Sequence, residues 1–222
     1  MTDPELQRAL TDRGVILHAP AATRLVDLVP GHFEPGVEIH PGCTVTGPET
    51  RVGRGTHLGR AGGGWFENLR AGRGCDLYGG VFSDCVILDG VTVRGHAEVR
   101  GGTLLEEHGE AAHHVGYKMT VALPYVIAGS LVNFCDALIA GGTGRSDHTE
   151  IGSATALYNF TPAGDKFASL LGDVPSGVFL RSRPLFVGGQ TQIVSPVTLG
   201  FGAVIPAGGA VRRSVPAGRL FA

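Results

Sequence analysis

Between Val187 and Val211 a branched aliphatic recurs every sixth residue: Val187, Ile193, Leu199, Ile205 and Val211. Four residues after each stands a small or β-branched residue: Thr191, Val197, Ala203, Gly209 and Val215. A period of six fits neither the 3.6-residue helix nor the alternation of a half-buried strand. It fits a prism with flat six-residue faces, three to a coil, the aliphatic pointing inward and the small residue near a corner. Residues eighteen apart then stack, with about 4.8 Å between coils. Each buried aliphatic contributes roughly 1.5–3 kcal/mol, and a column of them is the expected core.

The same phase runs through much of the chain. It begins loosely at Ile39 and Val45, slips one residue to Val52 and Leu58, and is interrupted at Gly62-Gly63-Gly64-Trp65, read as a loop. It resumes at Leu69, Cys75, Val81, Ile87, Val93, Val99 and Leu105. Residues 106–112, EEHGEAA, break it and are expected to project as a loop. A third block follows at Val115, Val121, Ile127, Asn133, Ile139, Arg145, Ile151 and Leu157, with Asn133 and Arg145 polar where an aliphatic is expected. Such departures often mark function. One repeat at Leu171 precedes a second insertion, 172–186, and then the final block. Residues 1–35 are read as an N-terminal cap and entry, opening with a short helical turn near Thr2 or Asp3. Residues 36–216 form the coils, about nine or ten, and 217–222 a tail. The expectation is one all-β domain, a parallel β-helix.

Composition narrows the partners. The chain has 222 residues, 36 of them Gly, and only 17% are charged, which reads as many turns in an ordered apolar chain. Net charge is −2 with no basic stripe, so nucleic acid is not an expected partner. The four cysteines form no CxxC, and Cys75 and Cys85 fall on inward positions, so neither a disulfide framework nor a metal knuckle is implied. The longest uncharged run, from Met119 to Cys135 around Lys118's end of the third block, keeps the six-residue phase and reads as repeat, not a membrane span. The polar N-terminus has no apolar core of a signal peptide, so the expected location is cytoplasmic.

Four pieces occur in order: DHTEIGSATALYNF (147–160), Gly164-Asp165-Lys166-Phe167, LLGD (170–173) and the final block. Together they resemble the left-handed β-helix hexapeptide acyltransferases. Over residues 113–216 the likeness is to the acetyltransferase half of the bacterial bifunctional N-acetylglucosamine-1-phosphate uridyltransferases. The resemblance implies a left-handed coil, a homotrimer with sites between neighbouring prisms, and acetyl-CoA as cosubstrate. It implies an amino-sugar phosphate or nucleotide sugar as the other ligand, and no resident metal. It places Asn159 and Lys166 at the substrate, Lys118 near a lysine that contacts substrate phosphate, and a coenzyme groove on the last coils at Gly189 and Ala207. Nothing resembles the Gly-rich uridyltransferase domain. The family's catalytic His position falls on Asn133-Phe134, and the Ser after its Val-Gly pair is Gly189 here. Loss of that base would leave a sugar-nucleotide-binding or structural module, which is the alternative reading.

Acetyl transfer needs a base, an oxyanion donor and a slot for the pantetheine arm. His148 is the leading base, outward-facing and flanked by Asp147 and Glu150, with Ser130 eighteen residues earlier expected to stack beneath it. Lys118 and Asp136, also eighteen apart, are expected to stack on another face and to hold a ligand there together with Asn133. His113 and His114 are second candidates for the base, only one of which can face a site. Arg181 and Arg183 on the second insertion suit a diphosphate. A remote alternative is a zinc-dependent hydratase of the γ-carbonic-anhydrase type built on His96, His108 and His113. Trp65 suits either a sugar ring or a local plug of the core.

Overall fold

A computed structural model describes residues 2–159, 168–175 and 184–222. Down one face, ten short strands from Ile16–Leu17 to Val204–Ile205 pair in parallel. The second and third faces form one sixteen-stranded sheet. They are joined because Gly116–Ala122 and Asn133–Ile139, seven residues each, run round the corner between them. The molecule is therefore a parallel β-solenoid of about ten turns, consistent with the expected left-handed β-helix.

The repeat rule has a simple physical origin. Side chains two apart on a strand point the same way, so each face buries a small residue and an aliphatic together. Thr191 with Ile193, and Ala203 with Ile205, are all fully buried. In the final block the register is eighteen residues, with Gln192 opposite Ala210 and Ile193 opposite Val211.

Earlier coils depart from eighteen. Phe66 pairs with Phe82, and Tyr117 with Phe134, sixteen and seventeen residues on. A face shortened by one residue turns the next residue inward, because the side-chain period is two. Val81 is thus 41% exposed while Phe82 is buried. Val121 and Ile127 are half-buried while Ala122 and Ala128 lie inside. Asn133 is exposed and Phe134 buried, and Arg145 lies in no strand. The polar residues of the third block are therefore not in the core; the phase had slipped. The shortened faces place Phe66, Phe82, Tyr117 and Phe134 in one internal column, with the Phe66 and Phe82 rings stacked 5.2 Å apart.

Three further expectations are corrected. Residues 106–112 do not project. Leu104–Leu105 leads through a tight corner into Glu110–Ala111, which pairs on both sides with neighbouring coils. The small inward Ala111 carries too little apolar signal to show the phase continuing. The coils begin at Ile16–Leu17, inside the segment read as cap and entry. The cap proper is a helix, Asp3–Asp12, longer than one turn; its Leu6 and Leu10 are buried over the first coil and the Thr2 N–H donates to Glu5 Oε2 at 2.7 Å. Finally, Gly64–Glu67 is a strand, so Trp65 is an outward strand residue, 42% exposed, whose Nε1–H donates to Glu67. The plug of the core there is Phe66.

Corners need left-handed backbone. One corner column runs Gly36, Gly55, Gly74, Gly90, His108 and Tyr125, all with φ between 58° and 79°. Glycine is irreplaceable where coils touch: a Cβ on Gly63 would lie 2.3 Å from Gly42.

Candidate functional site

The coil between Ile139 and Ile151 carries an extra loop, 141–148, at the corner that leads into the first face. The loop is fastened from below. Buried Thr149 donates its hydroxyl to Ala140 O at 2.6 Å, and the Gly142 N–H donates to Pro124 O at 2.8 Å. Within the loop, Thr143 Oγ1 donates to Asp147 Oδ2 at 2.8 Å and the Asp147 N–H to Gly144 O at 3.0 Å. A Cβ on Gly142 would sit 1.9 Å from Asp147 O, so this tight return requires glycine.

His148 is held at the mouth of this loop. Its Nδ1 lies 2.8 Å from Arg145 O and its Nε2 lies 2.9 Å from Glu150 Oε2. A carbonyl only accepts, so Nδ1 carries a proton and donates it; the Nε2–Glu150 contact shares one further proton, and Nε2 is open to take a proton from a ligand only once that one has passed to Glu150 or been lost. Of the two flanking acids only Glu150 touches the ring; Asp147 closes the loop. The Arg145 side chain turns back to pair with Glu110. An open depression is lined here by Ser146, Asp147, His148 and Glu150, and across them by Pro184, Leu185 and Phe186.

Ser130 does not lie beneath His148. The loop lengthens this coil so that Val126 pairs with Thr149, twenty-three residues on, and Tyr125 O receives the Thr149 N–H. Ser130 sits at the next corner, where its carbonyl receives the Ala154 N–H. Lys118 likewise pairs with Cys135 and not with Asp136, because this coil has seventeen residues. Asp136 takes the left-handed corner, φ 54°, and Asn133 faces outward opposite Gly116. Lys118, Asn133 and Asp136 thus gather on two adjacent strands that turn from the second face to the third, on a different edge from His148.

His114 occupies the corner leaving the first face. Its ring stacks on His96 at 4.8 Å, and its Nδ1 lies 2.9 Å from that of His113. Gly189 and Ala207 belong to the same corner in later coils, where Gly189 O receives the Gly208 N–H. His108 is elsewhere, stacked on Tyr125 at 5.2 Å, so His96, His108 and His113 do not converge. Asn159 ends the strand Ala156–Asn159 opposite Ser195, its side chain outside the described residues. Lys166, Arg181 and Arg183 also lie outside them.

Sequence reasoning missed two features. One is Thr149, hidden as an ordinary small corner residue. The other is a cluster of His18, Glu38, His40 and His57 on the first face. Its only sequence signal is a His beside an aliphatic anchor in three successive coils, at Leu17-His18, Ile39-His40 and His57-Leu58. Among the described residues, no helix is long and apolar enough to cross a membrane.

No family model matches the chain. Among curated proteins it is similar to the bifunctional protein GlmU of Pelobacter propionicus, 33% identical over 187 residues, covering 84% of this chain and 36% of the relative. The GlmU of Nitratidesulfovibrio vulgaris strain DP4 is 26% identical, covering 93% of this chain and 41% of the relative. That of Lawsonia intracellularis is 27% identical with the same coverage, 93% and 41%. The chain thus spans about two-fifths of the length of these relatives.

Proposed function

Taking the chain as a hexapeptide-repeat β-helix homologous to the GlmU proteins, we propose that it transfers an acetyl group from acetyl-CoA to an amino-sugar phosphate or nucleotide sugar. The first acceptor to test is glucosamine-1-phosphate. One observation carries the reading: His148, fixed through Nδ1 by Arg145 O, presents Nε2 beside Glu150 in an open depression.

In this reaction the acceptor amine attacks the thioester carbon, the new N–C bond forms, and the C–S bond breaks. His148 Nε2 takes the amine proton and returns it to the leaving coenzyme A thiolate. Glu150 steadies the imidazolium in between. Lys118, Asn133 and Asp136 supply polar contacts for the phosphorylated sugar, and Gly189 and Ala207 mark the corner for the pantetheine arm. Asn159, Lys166, Arg181 and Arg183 are assigned to ligand contact by resemblance. The Lys118 edge and the His148 edge are separate on one prism, so a complete site needs a neighbouring copy, and a homotrimer is the assembly proposed.

The test is release of free thiol from acetyl-CoA in the presence of glucosamine-1-phosphate. His148→Ala is expected to lower kcat about 10²–10⁴-fold. An unchanged rate would remove His148 as the base.

A second reading, a ligand-binding module without catalysis, is favoured by Phe134. At the position where the family carries its His, this ring is wholly inside the core and only Asn133 faces out. Thermal stabilisation by UDP-N-acetylglucosamine, with none from acetyl-CoA or coenzyme A, would select it.

A further inference from the structure

On the first three coils, four side chains converge on the outer side of the first face. Glu38 Oε2 lies 2.7 Å from His18 Nε2, 3.3 Å from His57 Nδ1 and 3.8 Å from His40 Nε2. The donor atoms of His18, Glu38 and His40 all lie within 4.8 Å of one another, the one such group among the described residues. The backbone makes this meeting rigid. His18 follows the strand Ile16–Leu17, Glu38 pairs with Ile16 and with His57, and His40 follows the strand Glu38–Ile39. The His18 and His40 rings stack at 4.3 Å.

Hydrogen bonding alone does not satisfy the cluster. One carboxylate oxygen faces three imidazoles and bonds only His18. His40 Nε2 and His57 Nδ1 are shielded from solvent and have no hydrogen-bond partner. Shielded ring nitrogens without partners are costly unless something else uses their lone pairs. Neighbouring Arg60 does not use them; it is tied to Asp76 at 2.8 Å.

We propose that His18, Glu38 and His40, joined by a turn of the adjacent His57 ring, which now lies against Glu38 but outside their group, form a binding site for a divalent transition metal of the zinc type. Three imidazole nitrogens and one carboxylate oxygen are a donor set that zinc takes. Ligand bonds of about 2.0–2.1 Å in a tetrahedron set the donor atoms roughly 3.4 Å apart. The three distances to Glu38 Oε2 straddle that value. Occupancy would require the stacked His18 and His40 rings to splay by side-chain rotation. The metal would clamp the first, second and third coils, directly under the capping helix, where a solenoid has fewest neighbours to hold it. This site is remote in the fold from His148 and independent of the acyl-transfer reading.

The experiment uses tag-free full chain, stripped with chelator, dialysed, and titrated with ZnCl2 by calorimetry. One zinc per chain is expected, with a rise in Tm of several degrees that chelator reverses. Co²⁺ in its place is expected to give the visible bands of a tetrahedral ion. The His18→Ala/His40→Ala double variant should lose the zinc and the Tm rise. The milder Glu38→Gln, which keeps size and hydrogen bonding, should weaken binding tenfold or more while far-UV circular dichroism stays unchanged. Failure of the stripped protein to take up zinc would overturn the site. So would equal stoichiometry in the double variant, which would put the metal elsewhere, as at His96, His113 and His114.

Discussion

Nε2 of His148 lies 2.9 Å from Oε2 of Glu150, two residues further along the same strand entry, while Arg145 O holds the other ring nitrogen. The pair therefore defines a proton-exchanging nitrogen whose resting partner must move aside for an acceptor. Glu150→Gln removes the charge but keeps the shape. It should lower kcat about tenfold to a hundredfold with KM little changed, within the range such catalysis contributes. Steady-state kinetics with acetyl-CoA varied would check it, and a change confined to KM would instead make Glu150 a ligand-binding group.

The loop that carries His148 depends on Thr149. Thr149→Val keeps the volume but leaves the Ala140 carbonyl without its 2.6 Å donor, in a buried setting. The expected cost is about 1–3 kcal/mol. Hydrogen exchange should quicken in residues 141–148 more than in the coils around Phe66. Equal protection in both variant and parent would mean the loop is held by other bonds.

The aromatic column is a stability determinant. Phe82 is fully buried and stacked on Phe66. Phe82→Ala should cost about 3–5 kcal/mol. A double-mutant cycle with Phe66→Ala should show coupling of roughly 0.5–1.5 kcal/mol beyond area burial. Additive losses in chemical denaturation would show that the two rings do not interact.

Glu34 reports on acid stability. Its carboxylate accepts from the Arg73 guanidinium at 2.9 and 3.0 Å and from the Arg54 N–H at 3.0 Å, which holds its pKa down to about 2. The folded value is below the unfolded one, so this contribution is complete above the ordinary carboxylate range near 4.5 and is lost as pH falls toward about 2. Carboxyl NMR should give a Glu34 midpoint near 2, moving up in Arg73→Ala; an ordinary midpoint in the parent would show the pair is not formed.

Thiol chemistry separates the cysteines. Burial pushes the Cys43 thiol up to about 11 and that of Cys85 up to about 12, and raises that of Cys75 as well. Only Cys135 is partly exposed. At pH 8 a soluble disulfide reagent should titrate one thiol per native chain and four in denaturant. Fast reaction of more than one native thiol would mean that the coils open at Cys43 to Cys85.

The six-residue period by itself determined the parallel solenoid, its roughly ten coils and the inward set of the last block. That period is a direct projection of burial onto the chain, and a face of six residues leaves no other way to bury Ile193, Leu199 and Ile205 together. The pattern also marked His148 and Glu150 as outward neighbours. What it did not contain was vertical register. Faces shortened by one residue in the coils around Phe82 and Phe134 leave the apolar content almost unchanged yet turn neighbouring side chains to the opposite side, so Asn133 looked inward and Lys118 looked stacked on Asp136. The eight-residue loop 141–148 before Thr149 likewise detached His148 from Ser130. Residues such as His18, Glu38, His40 and His57 meet only because three coils of unequal length happen to bring them level, and that summation over coil lengths is made by the tertiary structure alone.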